Sequence, residues 1–145
     1  MKKKHIRLVV IPLVLCLIAL AVWSRSSQTG IGLFVTLHQR DLEQIAANCL
    51  AQSDTADRYR GIKVDGLFSG KAPIVQFSSG GWGLVPFSTY CGFYYSESGQ
   101  PAAYQNVDIE LVPVSADEWT WSDGTDNGGS TRRINEHWFS YKAWF

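Results

Sequence analysis

The chain has 145 residues, 46% of them hydrophobic and 18% charged, a composition that excludes a disordered chain and allows one domain plus a short appendage. Formal charge is zero, but Lys2, Lys3, Lys4 and Arg7 precede every acidic residue, so nine basic residues face thirteen acidic ones in the remainder, a net of −4. A mildly acidic remainder excludes a phosphate-neutralising surface, and with it nucleic-acid binding.

Residues 1–7 form a basic tail, followed by sixteen uncharged residues from Leu8 to Trp23. This order predicts a membrane-targeting segment. One form is a single transmembrane helix over 8–23, slightly short of the roughly 20 residues a bilayer crossing needs. Pro12 is tolerable in its first turns, and Trp23 suits the far interface. The other form is a cleaved signal, with Ala19-Leu20-Ala21 as the small-residue site and cleavage at Ala21. Lipid attachment at Cys16 is excluded because Leu15 stands where such signals want a small residue. In either form the lysines stay on the cytoplasmic side and the rest crosses. The expectation is a bacterial inner-membrane, single-pass protein with a periplasmic domain, or a secreted periplasmic one.

Ser24 to Gly32 reads as a polar linker with two glycines, and the domain as 33–145. Leu33 to Gln52 predicts one helix, because Leu42, Ile45, Ala46 and Cys49 recur at helical spacing. From Tyr59 the period changes to two. Gly61–Phe68, Ala72–Phe77, Trp82–Val85 and Thr89–Tyr95 are predicted strands, with Ser78-Ser79-Gly80-Gly81 as a break. Val107, Ile109 and Leu111 alternate with Asn106, Asp108 and Glu110, as in a half-buried strand. Glu118–Ser122, Arg132–Asn135 and His137–Trp144 complete the set. The fold class expected is α+β: a membrane-spanning helix, a linker, and one amphipathic helix on an antiparallel β-meander of about five to seven short strands.

Beyond the apolar run two cysteines remain, Cys49 and Cys91. In an oxidising compartment, two thiols on apolar faces predict a disulfide that staples helix to sheet. It closes a loop of about 40 residues and contributes roughly 4 kcal/mol. The alternative is two buried free thiols.

Catalytic machinery is not legible. There is no G-x-S-x-G elbow and no phosphate-binding glycine loop with its lysine. His5, His38 and His137 lack ligand spacing to another His or Cys. Asp123-Gly124-Thr125-Asp126-Asn127-Gly128-Gly129 imitates the first half of a calcium loop, but Ile134 stands where the bidentate glutamate belongs. No catalytic residue, metal or cofactor is therefore assigned.

The distinctive feature is aromatic. Tyr90, Tyr94, Trp119, Trp121, Trp138, Tyr141 and Trp144 form a candidate binding face for an envelope protein or a glycan. The competing reading is a thick core with cross-strand aromatic ladders. Gly92, between Tyr90 and Tyr94, leaves a slot that a neighbouring strand's ring or a ligand would fill.

The segments G-W-G-L-V-P-F-S-T-Y-C-G-F-Y-Y-S (Gly81 to Ser96) and I-N-E-H-W-F-S-Y (Ile134 to Tyr141) resemble a loose set of small single-span bacterial envelope proteins without assigned activity. The resemblance implies an inner-membrane protein with a periplasmic domain and carries over no catalytic residue. The function expected is non-enzymatic binding. An immunity or inhibitor protein against an envelope toxin or hydrolase is one alternative, and an envelope hydrolase is the other.

Overall fold

Period-two apolar residues and glycine-marked turns build two four-stranded meanders that share one sheet. The first contains β1 (Arg58–Tyr59), β2 (Ile62–Leu67), β3 (Ile74–Leu84) and β4 (Phe87–Ser96). The second contains β5 (Val112–Ser115), β6 (Glu118–Ser122), β7 (Gly128–Arg133) and β8 (Trp138–Trp144). β4 pairs with β8, which gives the order β1-β2-β3-β4-β8-β7-β6-β5. All pairings are antiparallel. This computed structural model describes residues 27–52, 57–84 and 87–145, together with Val14 and Cys16.

Two short helices, α1 (Gln28–Leu37) and α2 (Gln39–Leu50), cover one face. Ser27 starts α1 by accepting a hydrogen bond from the Gly30 amide at 3.1 Å, which satisfies a donor that a helix start leaves open. Ile31, Val35, Leu42 and Ala46 are buried against Val75, Phe77, Phe93 and Trp138. The Phe77 and Phe93 rings stack at 4.9 Å. The Trp138 indole N–H has no partner in this core, a cost of about 1–3 kcal/mol for a buried donor.

The connection from β4 to β5, residues 101–111, covers the opposite face. The Tyr94 hydroxyl accepts from the Ala102 amide at 2.8 Å and shares a hydrogen bond with the Thr131 hydroxyl at 2.7 Å. The Gln105 amide donates to Gln76 Oε1 at 3.0 Å. Asn106 Nδ2 donates to the carbonyls of Leu67, Ser69 and Ala72. These bonds hold Gln105 and Asn106 in the left-handed region, both at φ 55°, which asparagine tolerates better than most residues.

The fold expected from the sequence is corrected in several places. Among the described residues the architecture is an eight-stranded antiparallel sheet with two short helices on it, where one helix on a five- to seven-stranded meander was expected. The segment 8–23 lies outside the described residues except for Val14 and Cys16. Among the described residues no helix is long and apolar enough to cross a membrane.

The single helix over 33–52 is two, separated at His38, whose φ −115° and ψ 16° leave the helical region. The linker's glycines lie inside α1, because Ser27 caps it and Ile31 and Val35 bury one side. Ser79, Gly80 and Gly81 do not break β3; a register shift between Ser78 and Gly80 absorbs them as a bulge. Asn106–Leu111 is not a strand. It starts from a 3-10 turn, Tyr104–Asn106, and packs Ile109 and Leu111 against Trp121, Ala143 and Ala103. The alternation does not set burial here: Asn106 is buried and Val107 exposed, while Ile109 and Leu111 are partly buried. β7 begins four residues earlier than expected, at Gly128, because the glycine-rich loop supplies its first residues.

Candidate functional site

The seven aromatic residues expected to form one binding face are divided between two faces and two environments. Tyr94, Trp121, Trp138 and Tyr141 are buried. Trp119 is half-buried, and its ring lies 5.6 Å from the Arg133 guanidinium carbon. Only Tyr90 and Trp144 are exposed. The slot at Gly92 is filled by a neighbouring strand: a Cβ there would stand 2.8 Å from the Tyr141 hydroxyl and 2.1 Å from the Phe77 carbonyl oxygen. Burial, the larger effect, raises the Tyr94 hydroxyl pKa to about 12 and pushes that of Tyr141 up as well. Both act as structural hydrogen-bond groups; Tyr141 meets the Ser78 hydroxyl at 3.3 Å.

Exposed apolar side chains collect at one end of the sheet, around the β3–β4 hairpin. Leu84 is 86% exposed, Phe87 74% and Trp82 53%. Trp82, Thr89, Trp144 and Gly128 are successive partners across four strands, so the two tryptophans share one row. The Trp144 ring lies over Gly128, where a Cβ would meet it at 3.0 Å. Lys142 Nζ stands 5.9 Å from the Trp82 ring centre. Phe145 is pinned beside them by two backbone bonds with Ser88, of 2.8 and 2.9 Å. On the other face, Tyr90 lies 5.9 Å from Phe145 and stacks on Tyr104 at 5.6 Å. A shallow cleft of about 730 Å³ runs from Trp82 and Phe87 past Trp144 to Asp126 and Asn127.

The sequence reading missed Trp82, Leu84, Phe87 and Phe145 at this end. A signal existed: no charged residue occurs from Ala72 to Ser96, and the sequence Leu84-Val85-Pro86-Phe87 is apolar throughout.

Asp123 holds its own turn, accepting from the Thr125 amide and the Asn127 side-chain amide at 2.9 Å each. These bonds, the Thr125 hydroxyl first, hold its carboxyl below the ordinary value. His137 Nδ1 meets the Ser96 carbonyl at 3.2 Å, and its Nε2 lies 3.9 Å from Glu136. Among the described residues no group of three His, Cys, Asp or Glu side chains is placed to hold a metal ion.

Cys49 and Cys91 are both buried free thiols in this structure. Cys49 lies against Gly66, where a Cβ would come within 2.8 Å of its sulfur. Gly66 belongs to the row of Val75 and Tyr95, whereas Cys91 pairs with Gly80 and Lys142. Tyr95 and Cys91 are four residues apart on β4, roughly 13 Å along the strand. A disulfide needs Cα atoms within about 7 Å, so the expected bridge does not form in this arrangement. Shared burial was legible in the sequence, but the position along the strand was not. Burial pushes both thiols up, which suppresses the thiolate needed for nucleophilic chemistry. Denaturing the oxidised protein without reductant is expected to expose both thiols to an alkylating reagent. Failure of both to label, with a mass two hydrogens short, would show the bridge instead.

No protein-family model, curated protein or solved structure matches this chain. The fold and the site thus define an antiparallel-sheet domain with an apolar aromatic end.

Proposed function

We propose that this chain is an exported bacterial envelope protein whose domain acts by binding, without catalysis. The carrying observation is the contiguous exposed surface of Trp82, Leu84, Phe87 and Trp144 at one end of the sheet. Contiguous apolar surface of this kind marks interaction sites on folded proteins. The basic start followed by Leu8 to Trp23 supports export.

The inhibitor alternative needs a free acidic patch around Asp108, Glu110, Asp117 and Glu118. Asp117 instead lies 3.6 Å from Arg133. The hydrolase alternative needs His137 beside a hydroxyl, and its nearest hydrogen-bond partner is a main-chain carbonyl.

A photo-reactive residue at position 87, activated in intact cells and read by protein mass, tests the proposal. A defined adduct at Phe87 that is absent from a control position at Glu97 is expected. Equal yields and products at the two positions would count against this surface as a binding site.

A further inference from the structure

We infer that the cleft beside the β4–β5 connection is a second binding site, separate from the hairpin end, for a small zwitterion with an apolar body. Apolar amino acids and short apolar peptides share that chemistry. The cleft holds about 690 Å³ between the connection and the sheet, within the roughly 300–1,000 Å³ of small-molecule sites. Ile74 and Ala103 are buried in its wall, and Trp119, Ile109 and Leu111 line it half-buried. Such a wall takes a hydrocarbon side chain out of water. Lys71, Asp108 and Glu110 also line the cleft and are exposed. None of these three side chains forms an ion pair or a hydrogen bond among the described residues. Arg133, which lies over the Trp119 ring, is by contrast engaged by Asp117 at 3.6 Å.

The fold brings the opposite charges to one place. A Cβ at Gly70 would stand 2.5 Å from the Asn106 carbonyl oxygen, so the loop between β2 and β3 lies directly against the connection. Asn106 fixes this contact through its bonds to the carbonyls of Leu67, Ser69 and Ala72. Lys71 is one residue from the contact and Asp108 two, with Glu110 two residues further on. A cation and a carboxylate therefore stand at the same end of the cleft. A ligand carrying both an ammonium and a carboxylate finds an opposite charge for each, whereas a singly charged ligand leaves one side unpaired. Entry needs little rearrangement. From Asp108 to Leu111 the backbone makes one hydrogen bond, from the Ile109 amide to the Val107 carbonyl at 3.0 Å, and none to the sheet. Such a segment opens at low cost, while Asn106 stays fixed.

Titration calorimetry of the full chain tests the site, with L-leucine, leucyl-leucine, and the dipeptide blocked either as its N-acetyl form or as its C-terminal amide. Saturable binding of leucine or of the free dipeptide is expected, with a dissociation constant near or below about 1 mM. The tighter of the two tells whether a free amino acid or a peptide is the source. Blocking either end is expected to weaken binding at least about threefold. Lys71→Met is expected to weaken the free dipeptide and to leave the amide, which has no carboxylate, unchanged. Asp108→Asn combined with Glu110→Gln is expected to weaken the free dipeptide and to leave the acetyl form unchanged. No saturable binding of leucine or the dipeptide, or equal binding of the free and blocked dipeptides, overturns the zwitterion site. That result leaves the hairpin-end proposal standing, because crosslinking from Phe87 reports a different surface.

Discussion

Replacing Trp138 by alanine is expected to lower the unfolding free energy by about 3–5 kcal/mol. A small domain has roughly 5–15 kcal/mol in total, so this is a large share of its stability. Trp138 is fully buried, with its ring 5.6 Å from Phe77, 5.9 Å from Phe93 and 5.2 Å from Tyr95. It sits beside the central β4–β8 pairing that joins the two meanders, where its loss leaves a cavity bounded by three rings. Trp138→Phe is expected to be much milder, within about 1.5 kcal/mol, because it keeps a ring and also removes the unpartnered indole N–H. Urea unfolding of the two variants checks both values. A loss below about 1 kcal/mol for the alanine variant would mean that the helix layer collapses onto the sheet without the indole.

The second large effect is expected at Gly92. An alanine Cβ there would stand 2.1 Å from the Phe77 carbonyl oxygen on the adjacent strand and 2.9 Å from Tyr141 Cε1. The first obstacle is backbone and cannot swing aside, so Gly92→Ala must separate β3 from β4 or expel Tyr141. We expect a loss of about 3 kcal/mol. Gly80→Ala is the control on the same hairpin, since its Cβ would meet only the Cys91 sulfur at an ordinary 3.8 Å. Its effect is expected within about 0.5 kcal/mol. Similar losses at the two positions, measured by thermal or urea unfolding, would refute the assignment of Gly92 as a seat for the Tyr141 ring.

The same device recurs at the edge of the candidate site. Cβ atoms at Gly128 and Gly129 would collide with the Trp144 and Trp121 rings, at 3.0 Å and 2.5 Å. The sheet accommodates its large aromatics by pairing them with glycines on neighbouring strands. This explains why a glycine-rich stretch that looks like a turn supplies the start of β7. It also explains how the Trp121 and Tyr141 rings are buried within the sheet.

Local chemistry was readable where the signal is local. Glu118–Ser122 has the bounds its alternation predicts, and the final strand, Trp138–Trp144, starts one residue later than expected. Helix spacing placed Leu42, Ala46 and Cys49 on the buried side of α2. Partners were not readable. Gly92 announces a slot, but nothing near it in the sequence names Tyr141, 49 residues away, as the ring that fills it. Cys49 and Cys91 each belong to an apolar face, yet four residues of register separate their rows.

By itself, then, the sequence determined the basic-then-apolar start, the acidic balance of the remainder, the tendency of the chain from Tyr59 onward to form strands, and the absence of charge from Ala72 to Ser96. Only the tertiary structure decided that β4 meets β8, that residues 101–111 cover a face without forming a strand, and which aromatics stay in water. The physical reason is range. Periodicity, charge and turn chemistry act over a few residues, whereas exposure depends on which distant strand brings a ring or a glycine opposite.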